Sequence, residues 1–323
     1  MIKKLLTIFG IIAVTVVALL VILVVVLRTT FPPEKIKSIV EVQFRYLFNR
    51  EISINSISLN LPGEIKISGI KISEKPDFNS GIFIESEYIL LKLKLKPLLR
   101  GMLEVDKIEI SKPKIKLIKD TSENFNFSLK ELSRMQNLSG DASKNRPVKT
   151  GRYKNVASQF IGTNCFIPAT SFILNKFELK DGELSFSDAG KKDGVSIFVK
   201  DMNLILNNFN LSGPFPAKIS CSLDWYKGRK EFSCYITFNS KINIANENID
   251  IVKFNITTKS GETRVTGKLE GFSKPKVDIR IVTDPKTINE YQKILPALKW
   301  FDFDTRKPVE LNIKGTAENL KIS

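Results

Sequence analysis

The sequence contains no histidine and only three cysteines among its 323 residues. Histidine is the commonest general base and the commonest metal ligand, so its absence removes most familiar catalytic and metal sites. The three cysteines include no C-x-x-C pair, which an ordinary zinc site would need. Neither a G-x-x-x-x-G-K-[ST] loop nor a G-x-S-x-G motif is present. We therefore expect no enzyme, no metal site and no cofactor.

Negative charge is also scarce. The chain has 50 Lys and Arg against 34 Asp and Glu, a net charge of +16. A basic balance suits nucleic acid, an anionic membrane surface or simply a soluble surface. The lysines alternate along predicted strands and do not cluster with stacking aromatic residues, so we expect no nucleic-acid partner.

One long apolar run without charge extends from Leu5 to Leu27. About 20 such residues can span a bilayer. A cleaved signal peptide is the alternative, but the run ends in Arg28-Thr29-Thr30, which is a poor cleavage site. Lys3 and Lys4 precede the run and favour a cytoplasmic N-terminus. We predict a single-pass anchor at 1–30, with the body of the protein on the far side of the membrane.

Three further segments follow the predicted anchor. Residues 31–135 open with apolar residues at helical spacing and continue as a β-sheet unit. Residues 136–165 are polar and without periodicity, which is typical of a loop or linker. Residues 166–323 form a second β-sheet unit with a short helix near 284–298, where Thr283-Asp284-Pro285 provides a start signal. That helix carries an apolar stripe made of Ile288, Tyr291, Ile294, Leu295 and Leu298.

Alternation of apolar and charged residues dominates both units. Between Leu91 and Lys96 three leucines alternate with three lysines, which places apolar side chains on one sheet face and charges on the other. The pattern predicts a mostly β fold: a transmembrane helix, a long curved antiparallel sheet and two or three short helices. The residues predicted to share the apolar face are Leu91, Leu93, Leu95, Ile108, Ile110, Ile115, Leu117, Phe177, Leu179, Leu184 and Phe186.

The apolar face of such a sheet has to be covered, and few helices are predicted to cover it. The sheet either closes on itself as a sandwich or barrel, or remains an open groove that holds an apolar ligand. Periodicity alone does not choose between these two arrangements.

An internal repeat relates Lys107–Leu117 to Lys176–Phe186. The first copy has a predicted turn at Lys112-Pro113 and the second at Asp181-Gly182, so each copy is predicted to be a hairpin. A looser third copy extends from Ile57 to Ile67, for which chance similarity is an equal alternative.

Two of the cysteines flank Lys227-Gly228. A two-residue turn there would place Cys221 directly opposite Cys234, in a non-hydrogen-bonded pair where side chains approach closely. An oxidising compartment would let them form a disulfide, with Cys165 left unpaired. Two buried thiols are the alternative, and a longer turn would shift the register.

The order of these motifs resembles the AsmA-like family. After the anchor and the helix come L-K-L-K-L-K-P-L-L-R-G at Leu91–Gly101 and V-D-K-I-E-I-S-K-P-K-I-K-L at Val105–Leu117. The family's Asn-aromatic pair follows as Asn126-Phe127, although the glycine expected before it is missing. The C-terminal segments I-L-P-A-L at Ile294–Leu298 and V-E-L-N-I-K-G-T at Val309–Thr316 are also similar.

The resemblance implies an inner-membrane anchor and a periplasmic β-groove that binds phospholipid and assists lipid transport or outer-membrane biogenesis. Further envelope proteins would complete a bridge between the membranes. The alternative is a non-enzymatic periplasmic scaffold with a closed β-sandwich core.

Overall fold

The computed structural model describes residues 37–38, 41–42, 45, 48–60, 63–94, 97, 104–127, 174–190, 194–210, 212–294, 298, 307–316 and 318–322. The predicted anchor, Leu95, Cys165 and the predicted loop at 136–165 lie outside these residues. Within them, no helix is long and apolar enough to cross a membrane. Helical residues before the sheet agree with the predicted helix: Lys37, Ser38, Glu41, Val42, Arg45 and Phe48.

Fifteen strands form a single sheet in the described part of the chain. Their bounds are β1 Ile52–Ser53, β2 Ser56–Asn60, β3 Glu64–Ser73, β4 Ile82–Leu93, β5 Val105–Ser111, β6 Lys114–Lys119, β7 Leu174–Asp188, β8 Val195–Phe209, β9 Phe215–Lys227, β10 Lys230–Asn243, β11 Asn248–Thr258, β12 Gly261–Glu270, β13 Lys276–Thr283, β14 Val309–Thr316 and β15 Lys321–Ile322. The mostly β prediction is confirmed.

The strand order is β1-β3-β4-β5-β7 and then sequential to β15, with β2 beside β3 and β6 between β4 and β7. The sheet is antiparallel, as predicted, except that β7 runs parallel to β5 and β6. All of the described strands are joined by hydrogen bonds into this one sheet.

The two predicted hairpins of the repeat are wrong. Strands β5 and β6 lie end to end in one position of the sheet, since both pair with β4 on one side and with β7 on the other. Strand β7 continues through Asp181-Gly182 without reversing. Lys112 and Asp181 have φ values of 45° and 51°. A left-handed residue can bulge a strand as well as turn it, and here it bulges the strand. The looser third copy does form a hairpin, β2 to β3.

The repeat itself has a structural meaning that the hairpin prediction missed. Its two copies lie side by side in parallel register, with Lys107 opposite Lys176 and Glu109 opposite Glu178. Beyond the bulge, Ile115 lies opposite Leu184. Residues that match in sequence are therefore neighbours in the sheet.

The predicted cysteine pairing is also wrong. The turn between β9 and β10 is Gly228-Arg229, one residue later than predicted, so Cys221 lies opposite Ile236 and Cys234 opposite Leu223. Both cysteines are buried free thiols in the structure. Burial raises the pKa of Cys221. The pKa of Cys234 is raised to about 11, mainly by burial and to a smaller extent by the nearby Cys221. Both thiols are thus protonated and poorly nucleophilic at neutral pH.

Helix α1, Pro285–Ile294, begins where the sequence predicted and packs against β10 and β12. The backbone N–H of Thr287 donates to the carbonyl of Asp284 (2.9 Å), while the Asp284 carboxylate accepts from the backbone N–H of Glu262 (2.8 Å). The start of the helix is therefore tied to the beginning of β12.

Candidate functional site

One row of apolar residues crosses the sheet along the hydrogen-bond direction. Residues directly opposite in a ladder share a face, so register alone defines the row. Eleven consecutive partners follow one another in this way, and we call them the long row: Ile67, Ile89, Ile110, Leu179, Leu204, Ile219, Phe238, Phe254, Val265, Ile281 and Leu311. Ten strand spacings of about 4.8 Å give it a length of roughly 48 Å.

A second apolar row lies on the same face: Ile72, Ile84, Ile115, Leu184, Val199, Leu223 and Cys234. Strand β9 establishes the common face, because Ile219 and Leu223 are four residues apart in a regular stretch of ladder. In β8 the corresponding residues, Val199 and Leu204, are five apart, which would put them on opposite faces of a regular strand. Asp201, with φ of 51°, lies between them and restores the face.

Positive φ values recur at this position in neighbouring strands. Gly69 in β3, Lys112 between β5 and β6, Asp181 in β7 and Asp201 in β8 all have them, between 45° and 64°. In each case apolar residues five apart on either side remain on one face. These bulges keep the apolar face continuous in four positions of the sheet. In β4, Ile84 and Ile89 are also five apart and share the face through their ladder partners, but no residue between them has a positive φ.

Nine of the eleven predicted site residues share this face. Ile110 and Leu179 belong to the long row, and Ile115 and Leu184 to the second row. Two flanking rows contain the other five: Leu91, Ile108, Phe177, Leu117 and Phe186. Leu93 pairs with Val105 beyond a register shift, so the ladder does not place it on the same face. Leu95 lies outside the described residues.

The apolar face is poorly covered. Each of the nine residues is half-buried, and in the long row only Val265 is buried, at 8% exposure. Apolar side chains in the middle of a broad sheet normally lose nearly all their exposure against a second layer. Within the described residues, no second layer lies over β3 to β8.

At the other end of the sheet, helix α1 covers the apolar face and lies over β10 to β14. A cavity of about 620 Å³ remains between helix and sheet. Its walls include Trp225, Phe232 and Val265 from the strands, together with Ile288 and Tyr291 from α1. The apolar stripe predicted for the helix thus faces the sheet, except for Leu295, which lies outside the described residues. None of the predicted site residues lines this cavity.

The opposite face carries a charged cluster that the sequence analysis did not identify. Glu109 and Glu178 are only 4% and 6% exposed. The Lys107 ammonium lies 2.5 Å from Glu109 and 2.6 Å from Glu178. Lys180 contacts Glu109 at 3.1 Å, and Lys176 contacts Glu178 at 2.5 Å. Parallel register places like charges opposite one another, and these contacts compensate the repulsion.

The lysines keep both carboxylates ionised. Burial alone would raise the pKa of Glu109, but hydrogen bonds from Lys107, Tyr88 and Lys180 outweigh it and lower that pKa to about 2. The pKa of Glu178 is lowered by the same balance, with Lys107 and Lys176 as donors. The sequence signal for this cluster was the Lys-x-Glu segment that occurs in both copies of the repeat. The two copies lie side by side in parallel register, which brings their charges together.

Comparison with known families fits this geometry. A model described as the AsmA family matches residues 2–275. This chain belongs to the AsmA family. No curated protein showed a significant match to the sequence. AsmA membership and a large, one-sided β-sheet fit a general role in lipid transport or envelope biogenesis. Helix α1 lies beyond the residues that the AsmA model matches.

The Asn-aromatic pair of the AsmA resemblance has a structural role near β6. The Asn126 side chain accepts from the backbone N–H of Ile118 (3.0 Å) and donates to Glu74 (2.6 Å). Its backbone carbonyl accepts a hydrogen bond from buried Arg50. Glu123, just before the pair, has φ of 64°, a conformation that glycine adopts without strain. Glu123 thus holds a left-handed conformation although it is not a glycine.

Proposed function

We propose that this AsmA-family protein holds phospholipid acyl chains against the apolar face of its sheet and thereby assists lipid transport or outer-membrane biogenesis. The observation that carries the proposal is the long row, in which ten of eleven residues are not buried. A soluble monomer rarely leaves a continuous apolar patch larger than a few hundred square ångströms. Acyl chains lying on this face would be stabilised by about 0.8 kcal/mol per buried CH₂.

The charged residues on the opposite face indicate that this side of the sheet is exposed to water. Exposed lysines there pair with carboxylates, as in Lys114 with Glu183 (3.5 Å) and Lys200 with Asp224 (3.1 Å). This pairing also favours a partner other than nucleic acid, which requires free cations along a phosphate path.

We further propose a non-catalytic role. A general acid or base works best with a pKa near the operating pH. The two most buried carboxylates, Glu109 and Glu178, instead have lowered pKa values and are surrounded by lysines. Such a cluster suits a structural function.

The proposed location is the inner membrane of a two-membrane envelope, with a cytoplasmic N-terminus and the sheet in the periplasm. The basis is the uncharged run Leu5–Leu27 and the lysines before it. Protease added to cells with a permeabilised outer membrane should degrade the body of the protein. Full protection of that body, with the inner membrane intact, would contradict this orientation.

Lipid extraction and mass spectrometry of the purified full chain test the binding proposal. Leu184 and Ser185 are neighbours in β7 that point to opposite faces, so Leu184→Asp and Ser185→Asp add the same charge to each face. We expect Leu184→Asp to reduce co-purified phospholipid at least fivefold and Ser185→Asp to leave it near the parent level. Equal lipid in both variants and the parent, with equal melting temperatures, would reject the proposal and favour a scaffold without ligand.

A further inference from the structure

The cavity beneath α1 differs from the rest of the apolar face because it is roofed. Its floor comes from β8 to β14, and its roof from Ile288, Tyr291, Ile294 and Leu298. Its volume of about 620 Å³ lies within the 300–1,000 Å³ typical of ligand pockets. The cavity is partly open to solvent, and its size and apolar lining are typical of a binding cleft.

Water would be poorly held in this cavity. The hydroxyls near it bond to one another: Tyr291 donates to Thr263 (2.6 Å), and Thr263 and Thr283 share a hydrogen bond of 2.6 Å. A buried water needs two to four polar partners, and the lining offers few polar groups besides these hydroxyls. The remaining walls are almost entirely hydrocarbon and aromatic side chains. The chemistry of the cavity thus selects an apolar occupant.

The shape of the cavity favours an extended chain over a compact ring. Lining residues come from seven neighbouring strands, and six spacings of about 4.8 Å correspond to roughly 29 Å along the sheet. Phe254, Val265 and Ile281 in its floor are members of the long row. The cavity is therefore continuous with the open face, and a chain lying along the long row could extend beneath α1.

We infer that the cavity under α1 is a binding site for the end of a single long alkyl chain. The inference rests on the proposed function, because it identifies where on the apolar face one acyl chain is enclosed. Helix α1 is fixed on one side by Asp284 to Glu262 (2.8 Å) and by Glu290 to Ser260 (3.1 Å). The Tyr291 ring stacks against Phe232, with centroids 5.9 Å apart. The helix is thus held over part of the cavity, and the rest of the cavity is open to the apolar face.

Tryptophan fluorescence provides a direct test. The chain has two tryptophans, and Trp225 lines the cavity. In full-length Trp300→Phe protein held in lipid nanodiscs, we expect stearate brominated at mid-chain to quench Trp225 emission at least twofold, saturating near one ligand per chain. Unbrominated stearate is the control and should leave the emission intensity unchanged.

Two matched substitutions locate the bound chain. Val265→Phe adds volume inside the cavity, whereas Val252→Phe makes the same change at a residue that is 66% exposed and does not line the cavity. We expect Val265→Phe to reduce the quenching at least threefold and Val252→Phe to preserve it. If Val265→Phe lowers the melting temperature, Val265→Leu, which adds a single methylene, is used in the same assay and should give a smaller reduction.

The outcomes separate this inference from the broader proposal. Absent quenching of Trp225, with phospholipid still captured by a photocrosslinker at Ile110, would overturn the cavity site and leave the open face as the binding surface. Absent quenching together with absent capture would overturn both. Equal quenching in the Val265→Phe and Val252→Phe variants would also overturn the cavity site, because it would place the bound chain elsewhere.

Discussion

The two ends of the apolar face contain the same kind of residue in different surroundings. Ile110 and Val265 belong to one row, yet Ile110 is half-exposed while Val265 is buried near α1. The strand pattern is alike in both regions, and the difference comes from the helix. Alternation therefore determines which residues share a face, whereas a covering element determines whether that face is a core or a surface.

The two regions are also stabilised differently. Beneath α1, apolar residues from helix and sheet are buried together, among them Phe232 and Ile288. Between β4 and β7, the most buried charged residues are glutamates on the opposite face, held by lysines. The open region thus depends on charge pairing for part of its stability and leaves its apolar face available. This contrast leads to four predictions about stability, given from the largest expected effect to the smallest.

The same substitution should have unequal effects in the two regions. Phe232 is 5% exposed and packs on Tyr291, whereas Phe177 is half-exposed on the open face. We expect Phe232→Ala to lower the free energy of unfolding by about 3–5 kcal/mol, the usual range for a buried phenylalanine. Phe177→Ala should lower it by less, about 1–3 kcal/mol, because Phe177 is only partly buried. Thermal unfolding of the full chain measures both, and equal losses would mean that the open face is a closed core.

Acid should weaken the open region through Glu109. Its pKa is about 2 in the folded protein and 4.5 for an unperturbed glutamate, so its contribution is complete above about pH 4.5 and is lost as pH falls through about 2. The loss should reach at most about 3 kcal/mol, at about 1.4 kcal/mol per pKa unit. We expect Glu109→Gln to be less stable at neutral pH and less sensitive to acid.

Glu183→Gln is the control for the acid experiment, because Glu183 forms an exposed ion pair with Lys114. Exposed pairs contribute little, so this variant should unfold like the parent at every pH. An unchanged acid response in Glu109→Gln would show that the cluster does not stabilise the open region through this carboxylate.

The bulge in β7 should tolerate glycine and reject a β-branched residue. Asp181 has φ of 51°, where valine is strained by about 1–3 kcal/mol and glycine is not. We therefore expect Asp181→Val to lower the melting temperature of the full chain and Asp181→Gly to leave it within a degree or two of the parent. A tolerated valine would mean that this position does not hold the left-handed conformation.

The smallest effect should come from the hydrogen bond that joins α1 to the sheet. Tyr291→Phe removes the donor to Thr263, which keeps its bond to Thr283. We expect a loss of about 1 kcal/mol, typical of one buried hydrogen bond. Urea unfolding provides the measurement, and a loss above that of Phe232→Ala would show that hydroxyl bonding, and not apolar packing, holds the roof.

Much of the face was predictable from sequence because ladder pairing preserves alternation. Ile108 and Phe177, or Ile115 and Leu184, were assigned to one side from their spacing, and register places them opposite each other. The helix at Pro285 was predictable because proline and a capping residue mark its start.

The path of the chain was harder to predict. Asp181-Gly182 has the composition of a hairpin turn, and the same residues make a bulge when flanking strands continue on both sides. That choice depends on β5, β6 and β8, which are distant in sequence. The predicted pairing of Cys221 with Cys234 was wrong for a related reason, since a one-residue change in the turn shifts every pair of the hairpin.

Photocrosslinking at adjacent residues of β8 tests the central claim most directly. Leu204 belongs to the long row, and Ile205 points to the opposite face while being similarly half-buried. A photoreactive residue at position 204 of the full chain, activated in living cells, should form phospholipid adducts, and one at position 205 should form none. Adducts at neither position, or equally at both, would contradict an apolar face that selectively holds lipid.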